Sequence, residues 1–207
     1  MSAGLGRVMR CYDDGVDAVE AMAKRIDAAE AWDKATPCPA WTAVELLGHL
    51  QVVAGWYHAW LDLAEAGVAE PPFAAGHLPV ENAAAVDALP PTSGPDRLTA
   101  FTTLARTYAK RLPERWSLPY GYPRGTVTAG FHAGVAAIEW HVHAWDLGQV
   151  VGHQYRPADP EALAAIGAES ELRWRAPLLK PIVPIVRRVA ASGDAWRRLL
   201  KGAARTQ

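Results

Sequence analysis

The chain has 207 residues, half of them apolar, which is enough for one compact domain with an extension and a real hydrophobic core. Its 21 Lys and Arg against 22 Asp and Glu leave a formal net charge of −1, so no global field is directed at nucleic acid or another polyanion. Two cysteines, Cys11 and Cys38, are too few for a disulfide framework, the segment MSAGLGRVMRCYDDG lacks the apolar centre of a signal peptide, and no apolar run approaches the roughly 18 residues of a spanning helix; a soluble cytoplasmic protein with no membrane association is expected.

Val8, Tyr12, Val16, Val19, Met22, Ala23, Ile26 and Ala29 recur at three- and four-residue steps, which predicts one amphipathic helix of about six turns. It stops before TPCPAW, where Pro37 and Pro39 forbid continuation. Thr42 stands three residues before Glu45 at the head of an apolar run, a capping box that starts a second helix reaching about Ala66. Residues 67 to 95 are rich in Pro, Ala and Gly without a period and read as loop with room for one short helix. Pro95 opens a third helix with the face Leu98, Phe101, Leu104, Ala105, Tyr108 and Leu112.

LPERWSLPYGYPRG is turn chemistry, after which Thr126 or Thr128 caps a fourth helix ending near Gly152. Asp159 and Pro160 begin a fifth helix to about Trp174. Pro177, Pro181 and Pro184 break APLLKPIVPIV into irregular pieces, and a last short helix spans Asp194 to Lys201. No strand pattern of useful length is present, so the expected fold class is an all-α bundle. From Arg173 onward nine Lys or Arg accompany one acid, Asp194, and this stretch reads as a solvated basic face.

The fourth helix carries more polar chemistry than packing needs, in AAIEWHVHAWDLGQVVG. At about 100° per residue, Glu139 and His143 fall on one face a turn apart, with His132 and Asp146 extending the stripe; His141 points near the opposite side. A carboxylate and an imidazole at this spacing lean the same way and can converge on one metal ion. A third ligand must come from another helix, and His49, in the middle of helix two beside Leu46, Val53, Trp56 and Trp60, is the candidate. A buried carboxylate without compensation costs several kcal/mol, on the order expected for an unpaired interior charge, and a cation would remove that cost. His-Glu-His suits zinc, with Ni, Mn and Fe also compatible by donor type, and leaves a position open for water or substrate. Asp146 is placed either to accept the free N–H of a ligand imidazole or, equally well, to form a salt bridge to an Arg of the bundle. Trp56, Trp60 and His132 are candidates to wall a pocket, although packing explains an aromatic stripe equally well. Arg106 and Arg124 are weaker candidates to clamp an acidic substrate.

The segment TPCPAWTAVELLGHL resembles the Thr-Pro-Cys-Pro-(Gly/Ala)-Trp-(Thr/Ser) turn and metal-binding helix of the DinB-like superfamily, in its mycothiol-dependent maleylpyruvate isomerase branch. EWHVHAWDLGQVVG is similar to that branch's Glu-x-x-x-His-x-Trp-Asp-Leu-x-x-x-x-Gly segment. The resemblance covers roughly residues 5 to 155 and implies His49, Glu139 and His143 as metal ligands. It further implies an up-down-down-up four-helix bundle, a divalent metal, usually zinc, and mycothiol as cosubstrate. Residues 1–155 would form this bundle and 156–207 a helical, Pro-rich extension packed on it. The isomerases proper carry a sizeable C-terminal α/β domain, whereas here about 55 helical, Pro-rich residues follow Gly152, so broader thiol chemistry is expected rather than maleylpyruvate isomerisation itself. The expected activity is activation of a low-molecular-weight thiol as a metal-bound thiolate, for S-transfer, thiol exchange or cis-trans isomerisation of a small electrophile. Its rivals are a metal-dependent hydrolase and a non-catalytic sensor or structural bundle, including a homodimer joined through the apolar C-terminal segment.

Overall fold

The computed structural model describes residues 3–38, 41–68, 70, 71, 73, 77–122, 125–175 and 194–202. Their elements, in chain order, are α1 (Ala3–Ala28), α2 (Ala43–Glu65), α3 (Leu78–Asp87), α4 (Gly94–Arg115), β1 (Pro119–Tyr122), β2 (Gly125–Thr128), α5 (Ala129–Val150), α6 (Pro160–Arg175) and α7 (Ala195–Gly202). The four long helices α1, α2, α4 and α5 make the all-α bundle.

The α1 face predicted from its spacing is the one that enters the core: Tyr12, Val16, Val19, Ala23 and Ile26 are essentially inaccessible. Ala29 falls just past the helix end and is exposed. The stripe packs chiefly on α5 and secondarily on α4, while α2 packs chiefly on α4. At Gly15 a Cβ would stand 2.8 Å from Trp140 Cβ, so the missing side chain lets α1 and α5 approach closely. By contrast α2 meets α5 over much less of its length than it meets α4. Polar side chains occupy that wider seam.

Local signals place the helix ends. The Glu45 carboxylate accepts from the Thr42 backbone N–H (2.8 Å) and from its hydroxyl (2.7 Å), fixing the start of α2. Ser93 Oγ accepts from the Asp96 N–H at the head of α4, and Thr128 Oγ1 from the Phe131 N–H at the head of α5. Asp159 does the same for α6 and Asp194 for α7. Gly152, at φ +66, follows α5 in the left-handed conformation that ends many helices. The α3 helix occupies part of the segment read as loop with room for one short helix.

Two expectations need correction. The chain does contain strands, because β1 and β2 pair antiparallel with Tyr120 opposite Val127. Each strand has only 4 residues, too few for alternation to register in the sequence, and the hairpin gains its support by packing on α2 and α5. Helix α4 also continues through Pro113 to Arg115. The proline sits in the last turn, where its missing N–H costs one hydrogen bond and no onward helix has to be sustained.

Beyond α5, α6 lies on α5 and α1, and α7 lies on α6. Trp196 and Leu200 of α7 form a small second core with Val142 and Trp145 of α5. Pro177, Pro181 and Pro184, the three prolines expected to break the C-terminal segment, lie outside the described residues, as does part of the basic stretch. Among the described residues no helix is long and apolar enough to cross a membrane.

Candidate metal centre

His49 sits mid-helix in α2 between Leu46 and Leu50, both fully buried, and its ring is driven into the seam facing α5. Glu139 and His143 face it from α5, four residues apart on one helix face. One donor atom from each of His49, Glu139 and His143 lies within 4.8 Å of the other two. His49 Nε2 is 3.2 Å from His143 Nε2 and 3.4 Å from Glu139 Oε1. Two ligands of a tetrahedral ion, each about 2.1 Å from it, stand roughly 3.4 Å apart, so these separations suit a single small cation.

The surroundings set the protonation of each donor. Burial alone would push the Glu139 carboxyl up, but the hydrogen bond and charge of His49, the neighbouring His143 and the Tyr57 hydroxyl together hold it down at about 2. Tyr57 donates to Glu139 Oε2. Burial and the Glu139 charge hold the Tyr57 phenol far above its ordinary range, so it stays protonated and remains a donor. One carboxylate oxygen is thus committed to Tyr57 and the other faces the imidazoles.

His143 Nδ1 lies 3.0 Å from Asp146 Oδ2, and Asp146 is fully buried. Burial lowers the His143 pKa despite Asp146, which leaves the ring neutral at pH 7 with its proton on Nδ1 and a lone pair on Nε2. This is the form in which imidazole binds metals. A carboxylate and a neutral imidazole thereby face His49 with lone pairs, a donor set that matches zinc and similar divalent ions.

Trp41 stacks on the His49 ring, with centroids 4.5 Å apart and planes 19° apart. Asn82, from α3, meets the far nitrogen of that ring, with Nδ2 2.7 Å from His49 Nδ1. Tyr57, Asn82 and Trp41 are contributors that sequence reasoning does not single out. Tyr57 carries a faint signal, since it lies eight residues after His49 on the same side of α2. Asn82 carries none, because it belongs to the aperiodic stretch.

The structure joins His49, Glu139, His143 and Asp146, and it places the other candidates elsewhere. Trp60 and His132 are core residues, their rings 5.5 Å apart, connected to the cluster through Tyr57, whose ring lies edge-on 4.3 Å from His132. Burial holds His132 neutral, with its pKa near 3. Trp56 is half-buried against Phe73 and Trp60. His141 lies away from the cluster as its angle implies, between the Cys11 carbonyl (3.0 Å) and the Tyr155 hydroxyl (2.5 Å). Arg106, a weaker candidate for a substrate clamp, forms surface ion pairs with Asp17 and Glu20, both at 2.8 Å. Arg124 lies outside the described residues. Cys11 is buried and Cys38 partly so, both free thiols.

The all-α bundle thus brings two imidazoles and a carboxylate from its second and fifth helices to one point, each with a partner behind it, in a group that could hold a metal ion. Residues 12–148 match the model of the mycothiol maleylpyruvate isomerase N-terminal domain, and the match encloses His49, Glu139, His143 and Asp146. The chain belongs to this family. Comparison with curated proteins and with solved structures gives no significant match.

Proposed function

We propose that this protein is a divalent-metal enzyme, zinc being the best fit, that activates mycothiol or a similar low-molecular-weight thiol for attack on a small electrophile. The observation that carries the reading is the convergence of His49, Glu139 and His143 at ligand-like separations, within the mycothiol maleylpyruvate isomerase N-terminal domain family. A divalent ion bound there would supply an open coordination position at which a thiol loses its proton near neutral pH.

The chain's own residues have defined tasks in this scheme. Tyr57 and Asp146 hold Glu139 and His143 in their metal-facing orientations. Trp41 covers one face of His49 and limits water there. The sulfur comes from the cosubstrate, so neither Cys11 nor Cys38 is required as nucleophile. The work proceeds in a cytoplasmic setting, where mycothiol-type thiols are kept reduced, with no nucleic acid or membrane partner.

The test is metal analysis of protein purified without added metal, followed by turnover of mycothiol with monochlorobimane. In that reaction a sulfur–carbon bond forms as the carbon–chlorine bond breaks, releasing chloride and the thiol proton. Stoichiometric divalent metal and metal-dependent conjugation support the proposal. Substrate hydrolysis without thiol would reassign the site to metal-assisted hydrolysis, and metal binding with neither activity would leave a sensor or structural role.

A further inference from the structure

The short α3 helix is fixed against α2 immediately beside the candidate ligand. A Cβ on Gly48 would already be in ordinary contact with Leu89 Cδ1 (3.4 Å) and Val86 Cγ1 (3.6 Å), so the end of α3 rests directly on the α2 backbone one residue before His49. Arg97 of α4 fastens the turn that follows, donating to the Pro90 carbonyl (2.7 Å) and to Gln51 Oε1 (3.1 Å). One helical turn before Val86, Asn82 reaches the Nδ1 of His49.

A neutral imidazole carries one N–H, and the partner of one nitrogen decides what the other offers. With Nδ2 of Asn82 toward Nδ1, that nitrogen would accept and the ring proton would lie on Nε2, facing His143 and Glu139. In this orientation the Asn82 Oδ1 is buried and has no hydrogen-bond partner. The donor and acceptor arms of a carboxamide exchange by half a turn about one bond. After that turn Oδ1 accepts from Nδ1–H, and the Nε2 lone pair is free for a cation.

We propose that Asn82 is the positioning residue for His49: its carboxamide oxygen accepts from Nδ1–H and so leaves the Nε2 lone pair to a divalent ion. This gives His49 the counterpart of the Asp146 contact to His143, with an amide in place of a carboxylate.

The inference rests on the metal reading, and the experiment separates their failures. Zinc affinity is measured by chelator competition for the full chain as wild type, Asn82→Ala and Asn82→Asp, each checked for native helicity. Asn82→Ala is expected to bind zinc about 10–100-fold more weakly, and Asn82→Asp, which can only accept from Nδ1–H, to restore the wild-type affinity or exceed it. In the zinc-loaded wild type, nitrogen-15 spectra should show His49 protonated at Nδ1 and slow to exchange, and Asn82→Ala should lose that protection. Failure of the wild type to take up zinc would overturn the metal reading and this inference with it. Tight wild-type binding that Asn82→Ala leaves unchanged, or Asn82→Asp as weak as Asn82→Ala, would overturn the role of Asn82 alone.

Discussion

Replacing His49 with Ala removes the one donor that α2 gives the cluster, and the consequence can be sized. A ligand present at 100-fold over its Kd stabilises the folded state by about 2.7 kcal/mol. For a chain of this size each kcal/mol moves Tm by roughly 2–4 °C, so zinc at that level should raise the wild-type Tm by about 5–11 °C. Without His49 the remaining donors, Glu139 and His143, belong to a single turn of α5 and no longer tie α5 to α2. Loss of a direct ligand should cost at least the ~100-fold that loss of an outer hydrogen-bond partner can cost. At the same zinc concentration that leaves about 0.4 kcal/mol, a shift near 1 °C. The variant also loses its stack on Trp41, so each protein is compared with its own metal-free form, and the intrinsic cost of the substitution cancels. Paired thermal melts with and without zinc decide the matter. A zinc shift in His49→Ala equal to that of the wild type would refute the shared site.

Three other outcomes follow from the same geometry. Tyr57→Phe strips Glu139 Oε2 of its donor and should destabilise the metal-free protein by about 1–3 kcal/mol in urea unfolding; an unchanged midpoint would mean that water replaces the phenol. Asp146→Ala should weaken zinc binding by about 10–100-fold in chelator competition, and unchanged affinity would make the contact to His143 incidental to metal binding. The metal-free protein should lose stability as pH falls from about 6.5 toward 4. The pKa of His141 is lowered by burial to about 4 and that of His132 to about 3, so the unfolded chain takes up protons in this window while the folded chain does not. Their contribution is complete above 6.5, and a urea midpoint that is flat or rising between pH 6.5 and 4.5 would contradict it.

The helices were legible wherever one short-range rule dominated. Apolar spacing along α1 identified its buried face, and Thr42 with Glu45, Asp159, and the pair Thr126 or Thr128, of which Thr128 makes the cap, each marked a helix start that backbone hydrogen bonding requires. The hairpin was not legible because its stability is tertiary: PYGY and GTVT are too short to show a period and gain support from α2 and α5. The start of LPERWSLPYGYPRG, read as turn, belongs to α4 for a related reason. A breaker rule applies to a helix that must go on, and α4 ends two residues after Pro113.

The candidate site divides along the same line. Glu139 and His143 can be paired from sequence because i,i+4 geometry is a property of one helix, and Asp146 follows from i,i+3. His49 needed a further step: an apolar helix face has to justify a buried imidazole, and a carboxylate on a neighbouring helix has to justify itself, so the two polar anomalies explain each other. Asn82 poses no such anomaly. It sits on a half-exposed helix of an Ala-rich stretch, and only the docking of that helix beside Gly48 gives its amide a meaning. Residues that bind can therefore be found by asking which polar groups a core should not contain. Asn82, which steers His49 from the half-exposed α3, is an ordinary polar residue for such a helix and leaves no trace in the sequence.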